Sequence, residues 1–191
     1  MRNFILLQCL MKLEQRLANI TDLDFINGCI LSGARKGHYS FNAENPAMVA
    51  AMKKEIRSVI TAQVLLDQRY AQASVFTLNG KRIAILILSE AAPGMADLEI
   101  YALSVAKKNH NRGYGSQLLD TLLSRHSHSD IYARCSLASE KMQVMLERRG
   151  FRFYGMDRDF RVLLREADAS SEMAELITMS NLNHYYAVSV E

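Results

Sequence analysis

The residues best suited to chemistry form a short polar loop directly after an apolar run, Asn109-His110-Asn111-Arg112-Gly113-Tyr114-Gly115. Its glycines let the backbone approach a ligand without a collision from a Cβ atom. A leucine-rich segment follows at once and predicts a helix, whose first amides are unpaired and whose dipole favours negative charge. The pattern indicates a binding loop for a phosphate-bearing ligand, with an ordinary strand-to-helix turn as the alternative.

Two other nucleotide-binding patterns do not fit this loop. A dinucleotide-binding fold needs three spaced glycines near the first strand of the chain and an acidic residue about 20 residues further on. A nucleotide P-loop needs Gly-Lys followed by Ser or Thr. The loop provides neither pattern, so both classes are excluded.

A second segment with informative spacing runs from Ser139 to Phe151 and ends in Glu147-Arg148-Arg149-Gly150-Phe151. Together the two segments resemble the GNAT superfamily of N-acetyltransferases. His110 to Gly115 is similar to the family's Q/R-x-x-G-x-G/A pyrophosphate loop, and Ser139 to Phe151 is similar to its N-x-x-A-x-x-x-Y-x-x-x-G-F segment. The resemblance covers residues 11–165 in the order of elements, while the specific motifs lie within residues 98–151.

The resemblance implies acetyl-CoA as co-substrate, no metal, and direct attack on the thioester by a primary amine. The amine belongs to a small molecule, a protein N-terminus or a lysine. In the family, the pantetheine arm pairs with a strand that splays away from its parallel neighbour, and the pyrophosphate lies on the glycine loop. The cofactor contacts so implied are Leu103, Val105, His110, Asn111, Arg112, Gly113, Tyr114, Gly115, Ser116 and Ser139. Lys107 and Lys108 would favour the phosphates by their charge, or simply form a solvated basic loop.

The catalytic residues follow less directly from the resemblance. An ammonium group must lose a proton before it attacks, and Glu99 resembles in position the glutamate base of some members, with a cross-strand ion pair as its alternative role. Leu146 occupies the position that commonly holds the tyrosine acid, and leucine cannot protonate a thiolate. Tyr154 is our candidate for that acid. The alternatives are Tyr101, Ser139, Cys135 and water.

The acceptor site in the family comes largely from the loop between the first two helices. Here the resemblance points to His38, Tyr39 and Phe41, together with Tyr101 on the strand. Their aromatic rings would face an amine, or they would simply pack the loop down. A second function stays open because Leu146 replaces the usual acid: a catalytically weak acyl-CoA-binding sensor or partner module.

The elements that must position these residues predict one α/β domain. Asn79-Gly80 between two β-rich runs predicts a two-residue hairpin, and Leu98 to Val105 predicts a strand buried on both faces. After the loop, helix and strand alternate. The resemblance to the GNAT superfamily implies the architecture: a central mixed, mostly antiparallel twisted sheet, with helices on both faces and a V-shaped splay between two parallel central strands, 98–105 and 131–135.

Helix boundaries are predicted from capping signals. Thr21 is expected to cap the first helix, with Asp24 reaching back, and Ser139 to cap the helix that precedes Gly150. Asn45-Pro46 is expected to begin the second helix. The buried stripe of that second helix is predicted to be Met48, Met52, Ile56, Val59 and Ile60.

Composition limits the remaining possibilities. The chain has 191 residues and a net charge of +3, which suits one GNAT-like domain over 11–165 and gives no basic surface for nucleic acid. Residues 1–10 are an N-terminal extension or extra strand, and 166–191 a C-terminal extension of unknown role. Cys9, Cys29 and Cys135 lack pairing or metal-ligand spacing, which favours a reducing cytoplasm, and no apolar run reaches membrane length. The expected partner is the amine acceptor, and a homodimer stays open.

Overall fold

Seven strands form one sheet in the computed structural model, which describes residues 13–167. The strands are β1 (Leu13–Leu17), β2 (Ala71–Leu78), β3 (Lys81–Glu90), β4 (Leu98–Val105), β5 (Ile131–Ser136), β6 (Arg152–Asp157) and β7 (Phe160–Arg165). Their order in the sheet is β1-β2-β3-β4-β5-β7-β6, and only the β4–β5 pair is parallel among the described strands. The predicted mixed, mostly antiparallel sheet is therefore confirmed. The predictions for residues 1–10 and 168–191 lie outside the described residues.

Four α-helices cover the two faces of the sheet: α1 (Leu23–Ala34), α2 (Pro46–Ala62), α3 (Tyr114–Arg125) and α4 (Glu140–Glu147). Successive residues of a strand point to opposite faces, and the two apolar clusters follow this alternation along β3. Ala84 and Leu86 pack with α3 and α4, whereas Ile85 and Ile87 pack with α1 and α2. Helices on both faces are thus confirmed.

The hairpin and the helix starts follow their local signals, with two differences. Asn79 and Gly80 both have positive φ, 50° and 72°, as the predicted two-residue turn requires. The Asn45 side chain accepts from the amides at the start of α2, as predicted, but Met48 is 40% exposed and lies outside the buried stripe. The cap of α1 also differs, because a 3-10 turn, Ile20–Asp22, precedes the helix.

Asn19 and Asp22, rather than Thr21 and Asp24, close this first turn. The Asn19 side chain accepts from the amide of Thr21, and the buried Asp22 carboxylate accepts from the amide of Asn19 at 2.9 Å. Asp22 also accepts from Arg16 at 2.6 and 2.8 Å and pairs with Arg82 at 2.7 Å. The hydrogen bonds from Arg16 are the largest cause that lowers the pKa of Asp22 to about 2.

We expect Asp22→Asn to lower the free energy of unfolding by about 2 kcal/mol at neutral pH, since a carboxylate with a depressed pKa stabilises the fold when ionised. This contribution is present above the unfolded pKa, near 4, and is lost as the pH falls towards 2. Urea denaturation between pH 7 and pH 2 measures it. The free energy of unfolding of the variant should fall less steeply than that of the wild type as the pH decreases. Asp120→Asn, which removes an exposed pair with Arg149, should cost less than about 1 kcal/mol.

The strands β4 and β5 separate after a short pairing, and this separation positions the site. Only Leu98 to Ile100 pair with Ile131 to Ala133, although β4 continues to Val105. The rest of β5 is paired on its other side with β7. A gap therefore opens between the carboxyl-terminal halves of two parallel strands, as the V-shaped splay predicted.

Candidate functional site

A cavity of about 330 Å³ occupies the gap between β4 and β5. Nine of the predicted cofactor residues line it: Leu103, Val105, His110, Asn111, Gly113, Tyr114, Gly115, Ser116 and Ser139. Arg112 is exposed on the loop and does not line it. Lys107 lines a second cavity instead, beside α1. The predicted loop and the splay thus form one concave surface.

The main-chain groups of Leu103 and Val105 face the gap. In an antiparallel pair, residues alternate between bonding across the pair and pointing away from it. The Ala106 amide donates to the Ile83 carbonyl at 2.7 Å, and Ala84 lies opposite Val105. Alternate residues of β4 therefore turn their amides and carbonyls towards β5, where pairing has already stopped.

The Val105 carbonyl already has a donor. His110 Nε2 lies 2.6 Å from that oxygen, and a carbonyl only accepts, so Nε2 carries the proton. His110 thereby ties the loop to the end of β4. The amide of Val105, rather than its carbonyl, is left to contact a ligand in the gap.

The loop before α3 presents a row of unpaired main-chain donors. Gly113 occupies the N-cap position with φ 79°, and no side chain caps the helix there. Among residues 13–167, the amides of 111–116 have no acceptor. Asn109 Nδ2 is buried beside the cavity and also lacks a partner in the described chain. Donors at a helix N-terminus favour an anion, so this loop fits a diphosphate.

Lys141 adds a positive charge to this loop that the sequence did not reveal. Its Nζ donates to the Asn111 side chain at 2.6 Å, across from α4, and both residues line the cavity. The two residues are 30 apart in sequence. Only the packing of α4 against α3 brings them together, so spacing along the chain carried no signal for the contact.

Glu99 lies in an ion-pair network outside the cavity lining. Its carboxylate accepts from Arg69 Nη1, and Arg134 Nε lies 3.1 Å away. The side chains of Glu99 and Arg69 are 5% and 9% exposed. Guanidinium donors occupy both oxygens, so the ion-pair alternative describes the contacts of Glu99. Its role as the base stays a prediction.

Tyr154 also lies apart from the cavity. It lies on β6, is 47% exposed and packs edge-on against Tyr132, with ring centroids 5.8 Å apart. It does not line the cavity. Tyr101 does, but burial, followed by the charge of Glu55, raises its pKa above the ordinary range. Tyr101 thus holds its proton tightly, and the role of Tyr154 as the acid stays a prediction.

The loop between α1 and α2 contributes two of its three predicted acceptor residues to the cavity. His38 and Tyr39 line it, whereas Phe41 packs beside Tyr39 with ring centroids 6.3 Å apart. The Tyr39 ring lies close against Gly33, where a Cβ atom would come within 2.6 Å of it. A bulkier residue at Gly33 would displace the ring, so the glycine lets the loop fold back on α1. Burial raises the pKa of Tyr39.

The sequence predicts that Ser139 caps α4, but its side chain makes no capping hydrogen bond and joins a hydroxyl network instead. Its Oγ lies 3.0 Å from His38 Nδ1 and 3.1 Å from Ser136 Oγ. Burial, and then the charge of Lys36, lowers the pKa of His38. His38 is therefore neutral at physiological pH. The sequence placed His38 and Ser139 in different subsites, and the structure brings them into direct contact.

Leu146 is fully buried in the apolar cluster and also lines the cavity. No cluster of His, Cys, Asp and Glu within 13–167 has the arrangement of a metal site. In the same range no helix is both long and apolar enough to cross a membrane.

No protein-family model and no curated protein matches the sequence, but solved structures do. The chain is similar to a GNAT-family acetyltransferase from Streptococcus agalactiae, with 15% identity and a TM-score of 0.60, over 82% of this chain and 96% of that one. It is similar to the PaiA N-acetyltransferase from Thermoplasma acidophilum in complex with coenzyme A, with 12% identity and a TM-score of 0.60, over 82% and 99%. A third similar structure is spermidine N-acetyltransferase from Vibrio cholerae in complex with CoA and spermine, with 15% identity and a TM-score of 0.60, over 80% and 92%. The chain has the fold of these acetyltransferases.

Proposed function

We propose that this chain, which has the GNAT fold, is an acetyl-CoA-dependent N-acetyltransferase acting on a primary amine. One observation carries the proposal: the gap between β4 and β5 has a row of unpaired amides, 111–116, at its mouth. An elongated ligand with a diphosphate at one end fits both features. Neighbours of the same fold contain CoA, which supports the same ligand class here.

The cofactor contacts are assigned from this geometry. The amides around Gly113 and Gly115 bind the diphosphate, and Lys141 and Asn109 Nδ2 add donors beside it. The gap-facing amides of Leu103 and Val105 bind the arm of the cofactor. Bound acetyl-CoA supplies a thioester, whose acetyl carbon is the electrophile.

The acceptor reaches the thioester from the side of the α1–α2 loop. His38, Tyr39 and Tyr101 line this side of the cavity. Aromatic rings attract a cationic amine, which must lose a proton before its nitrogen can attack. Tyr39 and Tyr101 keep their hydroxyl protons, because burial raises the pKa of each.

A binding module with little turnover is the second candidate function. It is favoured by the replacement of the usual acid with Leu146, which is buried among apolar side chains, and by the ion pairs that hold Glu99. A thiolate is a good leaving group, however, so the lack of a strong proton donor slows the transfer without preventing it. We therefore prefer the N-acetyltransferase function.

Two measurements on the full chain separate these functions. We expect calorimetry to show binding of acetyl-CoA, and we expect a panel of primary amines, from polyamines to peptide N-termini and lysines, to release free thiol. Binding without thiol release from any amine would support the module. Absence of binding at millimolar coenzyme would contradict both functions.

A further inference from the structure

We propose that His38 and Ser139 form a proton relay across the cavity, which takes the proton from the attacking amine and delivers it to the departing thiolate. The inference rests on the proposed acetyltransferase function and names the groups that perform its proton transfers. The relay supplies both a base and an acid. Glu99 is held in ion pairs, and position 146 carries a buried leucine that cannot donate a proton.

The contact itself joins two distant parts of the chain at the cavity wall. His38 comes from the α1–α2 loop and Ser139 from the turn after β5, 101 residues later. His38 Nδ1 lies 3.0 Å from Ser139 Oγ, and both residues line the cavity. Among residues 13–167, Nε2 of His38 has no hydrogen-bond partner. One ring nitrogen is thus committed to the serine and the other is open.

Packing holds both partners in place. The His38 amide donates to the Gly33 carbonyl at 3.1 Å, and a Cβ atom at Gly37 would lie 3.6 Å from Ala138. The loop therefore rests directly on the turn that carries Ser139. On the other side, Ser136 Oγ lies 3.1 Å from Ser139 Oγ.

Ser136 is itself fixed from behind. The buried Gln143 donates from Nε2 to the Ser136 carbonyl at 2.9 Å, and Arg161 donates to Gln143 Oε1 at 2.9 Å. This chain of hydrogen bonds anchors the turn after β5. A relay depends on such anchoring, because a small displacement of either partner would break the proton path.

The proton balance of the relay closes without another reactant. The acceptor attacks as the neutral amine, after its ammonium form has released one proton to solvent. The amine nitrogen then bonds to the acetyl carbon, and the proton that this nitrogen now carries in excess passes to Nε2 of neutral His38. Nδ1–H then gives its proton to Ser139 Oγ, while the Ser139 hydroxyl proton passes to sulfur as the carbon–sulfur bond breaks. His38 returns to its neutral form with the proton on Nε2, and exchange with solvent restores the starting tautomer. The lowered pKa of His38 supports this cycle, because the ring enters it uncharged.

The test uses Ser139→Ala and His38→Asn in the full chain. Asparagine keeps a hydrogen-bonding group near the position of Nδ1 but does not relay a proton. We expect each variant to lower kcat by about 100-fold, the range for a lost acid–base group, with the Kd of acetyl-CoA nearly unchanged. The double variant should fall no further than either single one, since residues that act as a unit are not additive.

The controls match the variants in residue type. His126→Asn, at the end of α3 and away from the cavity lining, and Ser124→Ala, whose hydroxyl bonds to Thr121, should keep the wild-type kcat. Thermal midpoints confirm that every variant is folded. A His38→Asn or Ser139→Ala enzyme with near-normal kcat would overturn the relay, as would losses that multiply in the double variant or that appear in Kd alone. A wild-type chain that binds no acetyl-CoA would instead overturn the function on which the relay rests.

Discussion

Gly113→Glu should weaken acetyl-CoA binding by more than about 100-fold, because the new carboxylate lies among the donors that bind the diphosphate. A Cβ atom at Gly113 has no neighbour within 4 Å, so the larger side chain fits without disturbing the core. Its charge repels the diphosphate at short range, where two like charges about 4 Å apart interact by several kcal/mol near a protein surface. Calorimetric titration with acetyl-CoA measures the loss.

The backbone at Gly113 adds a smaller effect that a matched variant isolates. With φ at 79°, any residue with a Cβ atom costs about 1–2 kcal/mol of strain there. Gly113→Gln has the same size and the same strain as the glutamate variant but no charge. We expect both variants to lose stability equally and the glutamine variant to keep most of its affinity. Equal affinities for the two variants would contradict a diphosphate on this loop.

The parts of the fold that the sequence predicted depend on local signals. Asn79-Gly80 marks a turn because few residues adopt positive φ without strain, and Asn45-Pro46 marks a helix start because both residues act within one turn of helix. Gly113 is predictable for the same reason. Each of these signals is read within a few residues and does not depend on how the chain packs.

Contacts that depend on packing are not predicted by the sequence. Glu99 pairs with Arg69, 30 residues away, and with Arg134, 35 residues away, so its position on the strand gave no indication of either partner. Tyr154 lies on β6, the edge strand of the sheet, where a tyrosine faces solvent instead of the gap. A sequence pattern shows on which face of a strand or helix a residue lies, but it does not show which residues pack against that face.

The site illustrates the same division. The glycine loop before α3 is one continuous segment that the sequence predicts as a unit, whereas the contacts His38–Ser139 and Lys141–Asn111 join separate segments. Contacts between distant segments leave no signal in the spacing of the sequence, so the sequence predicts the loop and not these contacts.

Glu99→Gln is expected to act mainly on stability. Removing the carboxylate charge leaves Arg69 buried with Asp67, whose side chain is 55% exposed, as its remaining charged partner. Breaking one side of a buried ion pair costs about 3–5 kcal/mol, and Asp67 offsets part of this cost, so we expect a loss of about 3 kcal/mol. For a domain of this size, the thermal midpoint should fall by about 6–12 °C.

The matched control is Glu147→Gln, which removes a pair with Arg161 in which the charged atoms are 3.9 Å apart and the side chains of Arg161 and Glu147 are 35% and 44% exposed. This loss should be less than about 1 kcal/mol. Turnover measured well below the midpoint then decides the role of Glu99. If Glu99 holds Arg69 in place, kcat per folded molecule stays within a few-fold of wild type, because the cavity is lined by other residues. If kcat instead falls by about 100-fold at an unchanged midpoint, Glu99 is the base and the ion pairs open during turnover.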